Sequence, residues 1–266
     1  MAELQRNWLT WLCSCTGERR PTRSRCCCLP MGGRKVHRPD LAIYSQTEEA
    51  AEGRQPIWNS PDITTNDWEP FQLMPAFTAV VRNLSDRSFA ANTLVHCYTS
   101  RFGIGLERRL FATRKVSIMA GMATELSYPL DAETLAGEQR LGVFMHIEHP
   151  HDMKAINNRG EQVIDGRQTS DVGRSFTVEN PVRNSDTARR RRINLAVLPG
   201  VHSATLAWTT ADFAPREERT VVVHVAVPGH LHGTPDDPVK EPVTVTASFD
   251  GGTLLGGATV IVRVND

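Results

Sequence analysis

"FTAVVRNLSD" (residues 77–86) and "FTVENPVRNSD" (residues 176–186) are two versions of one phrase. Both open on Phe-Thr, alternate apolar with polar positions, pass through Val-Arg-Asn and close on a Ser-Asp turn. The second carries one more residue, at the Asn180-Pro181 step. Phe77 and Phe176 stand 99 positions apart, about the size of one immunoglobulin-like sandwich. A repeat at that interval predicts two copies of one domain in tandem, provided the strand patterns around each copy agree.

They agree. Around the first copy, "NTLVHCYTSRF" (92–102), "KVSIMAG" (115–121), "ATELSYPL" (123–130) and "LGVFMHIEH" (141–149) alternate with period two, with Leu141, Val143, Met145 and Ile147 on one face. Around the second, "INLAVLPG" (193–200) and "ATLAWTT" (204–210) lead into three valine ribbons. These align Val221, Val223, Val225 and Val227, then Val243, Val245, Ala247 and Phe249, then Val260, Val262 and Val264. β-Branched residues on the inward face are the mark of half-buried strands. Pro- and Gly-containing turns separate the ribbons, at Leu198-Pro199-Gly200, Val227-Pro228-Gly229 and Asp250-Gly251-Gly252. Helical periodicity is confined to one turn in "PLDAETLAG" (129–137). The expected class is all-β: two tandem immunoglobulin-like β-sandwiches behind a disordered Cys/Arg-rich N-terminal tail.

The boundaries follow from composition. Residues 1–36 include "CTGERRPTRSRCCCLPMGGRK", which is basic, Gly/Pro-punctuated and without an apolar period, and are expected as the disordered tail. The first sandwich is assigned to 37–165, with an N-terminal arm over 37–70. The polar, glycine-bounded 166–173 is assigned as a linker, and 174–266 as the second sandwich. Trp208 is expected to anchor the second core, and Trp58 and Trp68 to cover an open end of the first. Five of six cysteines lie in the tail and only Cys97 in the body. Hydrophobic burial rather than disulfides must therefore hold the sandwiches, with Cys97 a small buried hydrophobe.

The second half resembles the tandem immunoglobulin-like modules of bacterial proteins, the CARDB and NEW3-like group. The likeness rests on Asn180-Pro181 opening a strand, on "LAVLPG" and on "FAPREERTVVVHVAVPG". The first half looks like a relative, through "SPDI", "VRNLS", "FGIG" and "MAGMATELSYPL". The resemblance spans roughly residues 57–266. It implies a spacer, adhesion or interaction domain with no catalytic residues to carry over.

Charge and motifs point the same way. Thirty basic and thirty acidic residues cancel, so nothing pulls the chain as a whole toward nucleic acid or an anionic membrane. The run Arg189–Arg192 lacks the aromatic interleaving that base stacking needs, and is expected as a solvated strand edge. No G-x-S-x-G elbow, H-E-x-x-H or Gly-rich phosphate loop is present. The chain is expected to be a non-enzymatic, cofactor-free protein whose partner is another protein, bound through sheet edges or end loops. Its expected location is the cytoplasm, with membrane association only through lipidation of the tail cysteines. An extracellular accessory module of a larger enzyme or adhesin is one alternative. The other is a metal site in "HIEHPHD" (146–152), with His146, Glu148, His149 and His151 as ligands, since His and carboxylate are common ligands of hydrolytic centres. Alternation puts His146 and Glu148 on one strand face and leaves His151 on a loop. The companion histidines His224, His230 and His232 are expected to be solvated.

Overall fold

The computed structural model describes residues 37–65, 76–129, 141–171, 173–231 and 239–265. The chain divides into two compact units, Met1–Val36 and His37–Asp266, and every described residue belongs to the second. The expected tail, Trp68, His232 and the turn after Pro129 lie outside the described residues.

The all-β class is what the chain adopts. In the first half the order is β1 (Leu41–Ala42), α1 (Gln46–Ala51), β2 (Ile63–Thr65), β3 (Ala76–Asn83), β4 (Ala90–Arg101), β5 (Arg109–Ile118), β6 (Ala123–Pro129), β7 (Leu141–Glu148) and β8 (Arg159–Asp171). In the second it is β9 (Ser175–Arg183), β10 (Arg191–Val197), β11 (Ser203–Leu206), β12 (Thr210–Phe213), β13 (Glu218–Ala226), β14 (Val239–Phe249) and β15 (Leu254–Asn265). The one described α-helix, α1, is capped by Ser45, whose hydroxyl accepts the Glu48 N–H.

The echoed phrases build the same corner twice. Asn83 is the last residue of β3 and Asn184 directly follows β9, and both are buried. The Asn83 amide donates to the carbonyls of Ser88 (2.7 Å) and Ile118 (3.2 Å), and its oxygen accepts the Ser85 N–H (3.2 Å). The Asn184 amide donates to Arg189 (3.0 Å) and Ala214 (2.9 Å), and its oxygen accepts the Asp186 N–H (3.0 Å). Facing each asparagine, a residue with positive φ turns the chain: Gly121 (70°) and Arg216 (59°). Their N–H groups donate to Ser85 and Asp186, and the next carbonyls, of Met122 and Glu217, accept the asparagine N–H at 2.9 Å in both halves. A buried side-chain amide has four hydrogen-bonding sites, and only the return of the chain to this place fills them.

The large sheet runs β12-β10-β14-β15-β8-β7-β4-β5. Its two ends mirror each other about one junction, where β15 pairs with β8 in parallel from Thr259↔Ile164 to Asn265↔Asp171. Residues 166–171, expected as linker, are therefore strand. Ladder hydrogen bonds are made by the backbone and do not read side-chain polarity, so a polar stretch can be the seam of a sheet. Smaller sheets join β6, β1 and β2 to β3, and β11 and β9 to β13.

Successive residues of a strand face opposite ways, and β7 shows the consequence. Val143, Met145 and Ile147 enter one hydrophobic cluster with Phe77, Val81, Cys97 and Tyr128. Phe144 enters the other, with Val163, Val178, Val223, Val245 and Val262. The two cores lie on opposite faces of one sheet. The division expected at 166–173 is crossed by side chains as well, since Trp58, Phe102 and Ile104 from the first half join the second core. Trp58, expected over the first sheet, packs instead so tightly on Gly257 that a Cβ there would lie 2.4 Å from its ring. Ile104 reaches β9, accepting the Arg183 N–H and donating to Pro181, each at 2.9 Å. Beside it Gly103 has φ 143°, and a Cβ on it would meet the Pro181 carbonyl at 2.6 Å.

Two substitutions test this frame by denaturant unfolding. Trp58→Ala should cost about 3–5 kcal/mol, the range for emptying a core aromatic site. Asn83→Ala should cost about 2–3 kcal/mol by stranding buried carbonyls. A loss below about 0.5 kcal/mol in either would show that the seam or the corner is not structural.

Candidate functional site

The face of the sheet opposite the first core is polar across four strands. Register sets Thr113, His96, His146 and Arg159 side by side on β5, β4, β7 and β8. His96 Nδ1 lies 2.9 Å from the Thr113 hydroxyl, and its Nε2 lies 3.4 Å from a Glu148 oxygen. The other Glu148 oxygen is 3.6 Å from His146 Nδ1, and the two imidazole centroids are 6.2 Å apart. Burial, then the Arg159 cation, hold His146 below the ordinary histidine pKa, against the opposing pull of Glu148. His96 was not singled out in the sequence. It stands between Val95 and Cys97 in "LVHCY", so its outward direction was legible, but its neighbour on another strand was not.

The expected ligands thus divide into two pairs. His146 and Glu148 share the strand face with His96. His149 and His151 occupy the turn beyond, with ring centroids 6.0 Å apart. Both His149 nitrogens are engaged: Nδ1 accepts the His151 N–H (3.2 Å), which leaves Nε2 to donate to the Ala91 carbonyl (3.1 Å). This turn anchors the N-terminal arm, because Asp152 accepts the Leu41 N–H (2.8 Å) and an Asn158 amide hydrogen (2.9 Å). Among the described residues no group of three His, Cys, Asp or Glu side chains is arranged to hold a metal ion. His224 and His230 are exposed.

Below this row a groove of about 210 Å³ is lined by Tyr98, Arg108, Phe144, His146, Arg159 and Glu161. Arg108 lies 3.9 Å over the Phe144 ring and donates to Glu161 (2.7 Å), whose other oxygen accepts Trp58 Nε1 (3.1 Å). The groove wall is therefore tied to the seam. A second cleft, of about 240 Å³, lies where β4 ends and β5 begins. Its polar lining is Thr99, Ser100, Arg101, Glu107, Arg109 and Arg183, over Leu106 and Leu141. Cys97 offers no nucleophile nearby, since burial pushes its thiol up to about 12.

At the flank of the first half, β5 is the end strand of the large sheet, and among the described residues no strand pairs with its outer side. It is ten residues long, largely exposed, and carries Arg109, Arg114 and Lys115 with no carboxylate. Its counterpart at the far end, β12, has four residues. There β11 also pairs with β13, whereas β6, in the matching place, pairs among the described residues only with β3. Within the arginine run 189–192, Arg191 pairs with Asp186 of the same turn (2.9 Å) and Arg192 with Asp212 of β12 (3.0 Å). No described helix is long and apolar enough to cross a membrane.

No protein-family model and no curated protein matches the chain. Among solved structures, a protein of unknown function from Porphyromonas gingivalis W83 is similar at 11% identity and a TM-score of 0.21, over 76% of this chain and 99% of its own. The CupB6 tip adhesin from Pseudomonas aeruginosa is similar at 6% identity and a TM-score of 0.22, over 72% of this chain and 90% of its own. Overlap this slight says nothing of what the chain binds.

Stability should respond to pH through two imidazoles. Burial lowers the pKa of His146, and also that of His202, whose ring nitrogens have no hydrogen-bond partner among the described residues. Unfolding restores both to the ordinary value near 6.5, so the unfolded chain takes up protons first. Their contribution is complete above about pH 6.5 and is lost as pH falls through the lower folded values. The urea midpoint should drop between pH 7 and pH 5, and His202→Leu should flatten part of that drop. A midpoint that rises on acidification would contradict the sign.

Proposed function

We propose that the protein is a non-catalytic interaction module made of two immunoglobulin-like units, and that it binds an extended acidic segment of a partner protein along β5. The supporting observation is the long, exposed, uniformly basic edge of that strand. An edge strand presents unpaired N–H and C=O groups, and an added strand satisfies them while alternate side chains select the partner.

The charges choose between partners. Edge strands are usually protected against pairing, and basic residues and bulges are the common means. β5 has both, with a register shift opposite Cys97/Tyr98 and Arg114 lying over the Tyr128 ring at 5.7 Å. Two such edges brought together would set cations against cations, which disfavours self-association. An acidic strand meets the same charges as attraction. The groove beside His146 and Phe144 lies on the adjoining face, where side chains of the added segment could lodge.

The test is a fluorescence titration of the whole chain with a labelled ten-residue peptide alternating Glu with Val or Thr. Binding should weaken steeply as salt rises through the physiological range. Arg114→Glu/Lys115→Glu should weaken it at least about tenfold at low salt. Equal binding of a Lys-for-Glu peptide, or no effect of the charge reversal, would remove β5 as the site.

A further inference from the structure

The cleft at the start of β5 gathers three guanidinium groups that are adjacent in space but distant in sequence. Arg101 comes from β4, Arg109 from β5 and Arg183 from β9, so the cleft spans the two halves of the chain. Arg101 reaches both oxygens of Glu218 through one nitrogen, at 3.2 Å each. Arg183 is only 21% exposed, and its Nη1 lies 3.3 Å from Glu107, whose side chain is 75% exposed. Arg109 pairs with Thr99 through the backbone ladder, but its guanidinium makes no hydrogen bond or ion pair among the described residues. Leu106 and Leu141 supply an apolar wall.

We infer that this cleft is a binding site for a small oxyanion, a carboxylate or a phosphate. Planar guanidinium forks match both groups and form charge-assisted bonds with them. Glu107 acts as a tethered occupant: its carboxylate lies against Arg183 while remaining mostly in water. Exposed pairs of this kind are weak, so an incoming anion displaces it at little cost and gains Arg109, whose guanidinium has no partner among the described residues. Arg101 and Arg183 carry the cleft across the seam between the halves, so occupancy favours the folded arrangement by mass action. The site shares Arg109 with the β5 edge but needs no strand added there, so it can hold where that reading fails.

Calorimetric titration of the whole chain at low ionic strength tests it with three probes: inorganic phosphate, an N-acetylated tripeptide with a free C-terminal carboxylate, and the same tripeptide as its amide. Saturable binding of phosphate, of the free acid or of both supports the site, and tells which source of oxyanion it takes. Arg109→Gln, which breaks no hydrogen bond or ion pair among the described residues, should weaken that binding at least about tenfold. Glu107→Gln should tighten it several-fold by removing the internal competitor. Variants are compared only at matched thermal midpoints, which excludes misfolding. No saturable heat from phosphate or free acid would overturn the inference. So would equal binding of the amide, or Arg109→Gln binding like the parent.

Discussion

Strand β8 has two edges, and the way both are satisfied sets the rest of the molecule. One pairs with β7 in the ordinary antiparallel manner. Along the other, the N-terminal arm comes first: the Gln46 side chain bonds both the N–H and the carbonyl of Glu161, and Trp58 accepts the Val163 N–H. From Ile164 onward β15 takes over. Unpaired backbone groups away from water are costly, so the arm and the C-terminal strand share one task. A consequence is that the chain's last strand joins its middle, and one sheet carries both cores.

Equivalent strands meeting in parallel impose a further constraint. In a sheet, a two-fold relation that keeps two strands parallel must exchange the faces. The packing follows that rule, with the first core on one face and the second on the other. Among the described residues, each half therefore leaves a sheet face without a sandwich partner. In the first half that face bears the His96–His146–Arg159 row and its groove. Trp58 and the Phe102–Ile104 loop cover the seam from the second-core side.

The two corners also show which features folding does not require. Around Asn83, the apolar residues Leu84, Phe89, Met119 and Met122 are all more than half exposed. Around Asn184 the corresponding turn carries Arg190, Ala214 and Glu217. The same hydrogen bonds hold both, so the side chains displayed there are free to differ. Likewise the two ends of the large sheet differ in length, ten residues in β5 against four in β12, and β11 adds a strand beside β13 in the second half. The two corners share a frame of hydrogen bonds and differ in the side chains they display.

Much of the frame was legible in residue order. Alternating Leu141–Ile147 and the ribbons ending at Val227, Phe249 and Val264 named their inward faces, with Phe249 only partly buried, because burial acts residue by residue with a period of two. The Val-Arg-Asn echo marked both corners for the same reason: a buried amide demands a local turn. The seam was not legible. Gln168, Thr169 and Ser170 read as a linker, since β-pairing is a backbone interaction between segments far apart in the chain. Nor could order alone place Trp58 in the second core, set His96 beside His146, or bring Arg101, Arg109 and Arg183 to one cleft. Local pattern determined the strands and which way their side chains face. Register and the choice of pairing edge, which are long-range and blind to side-chain type, decided which of those side chains would meet.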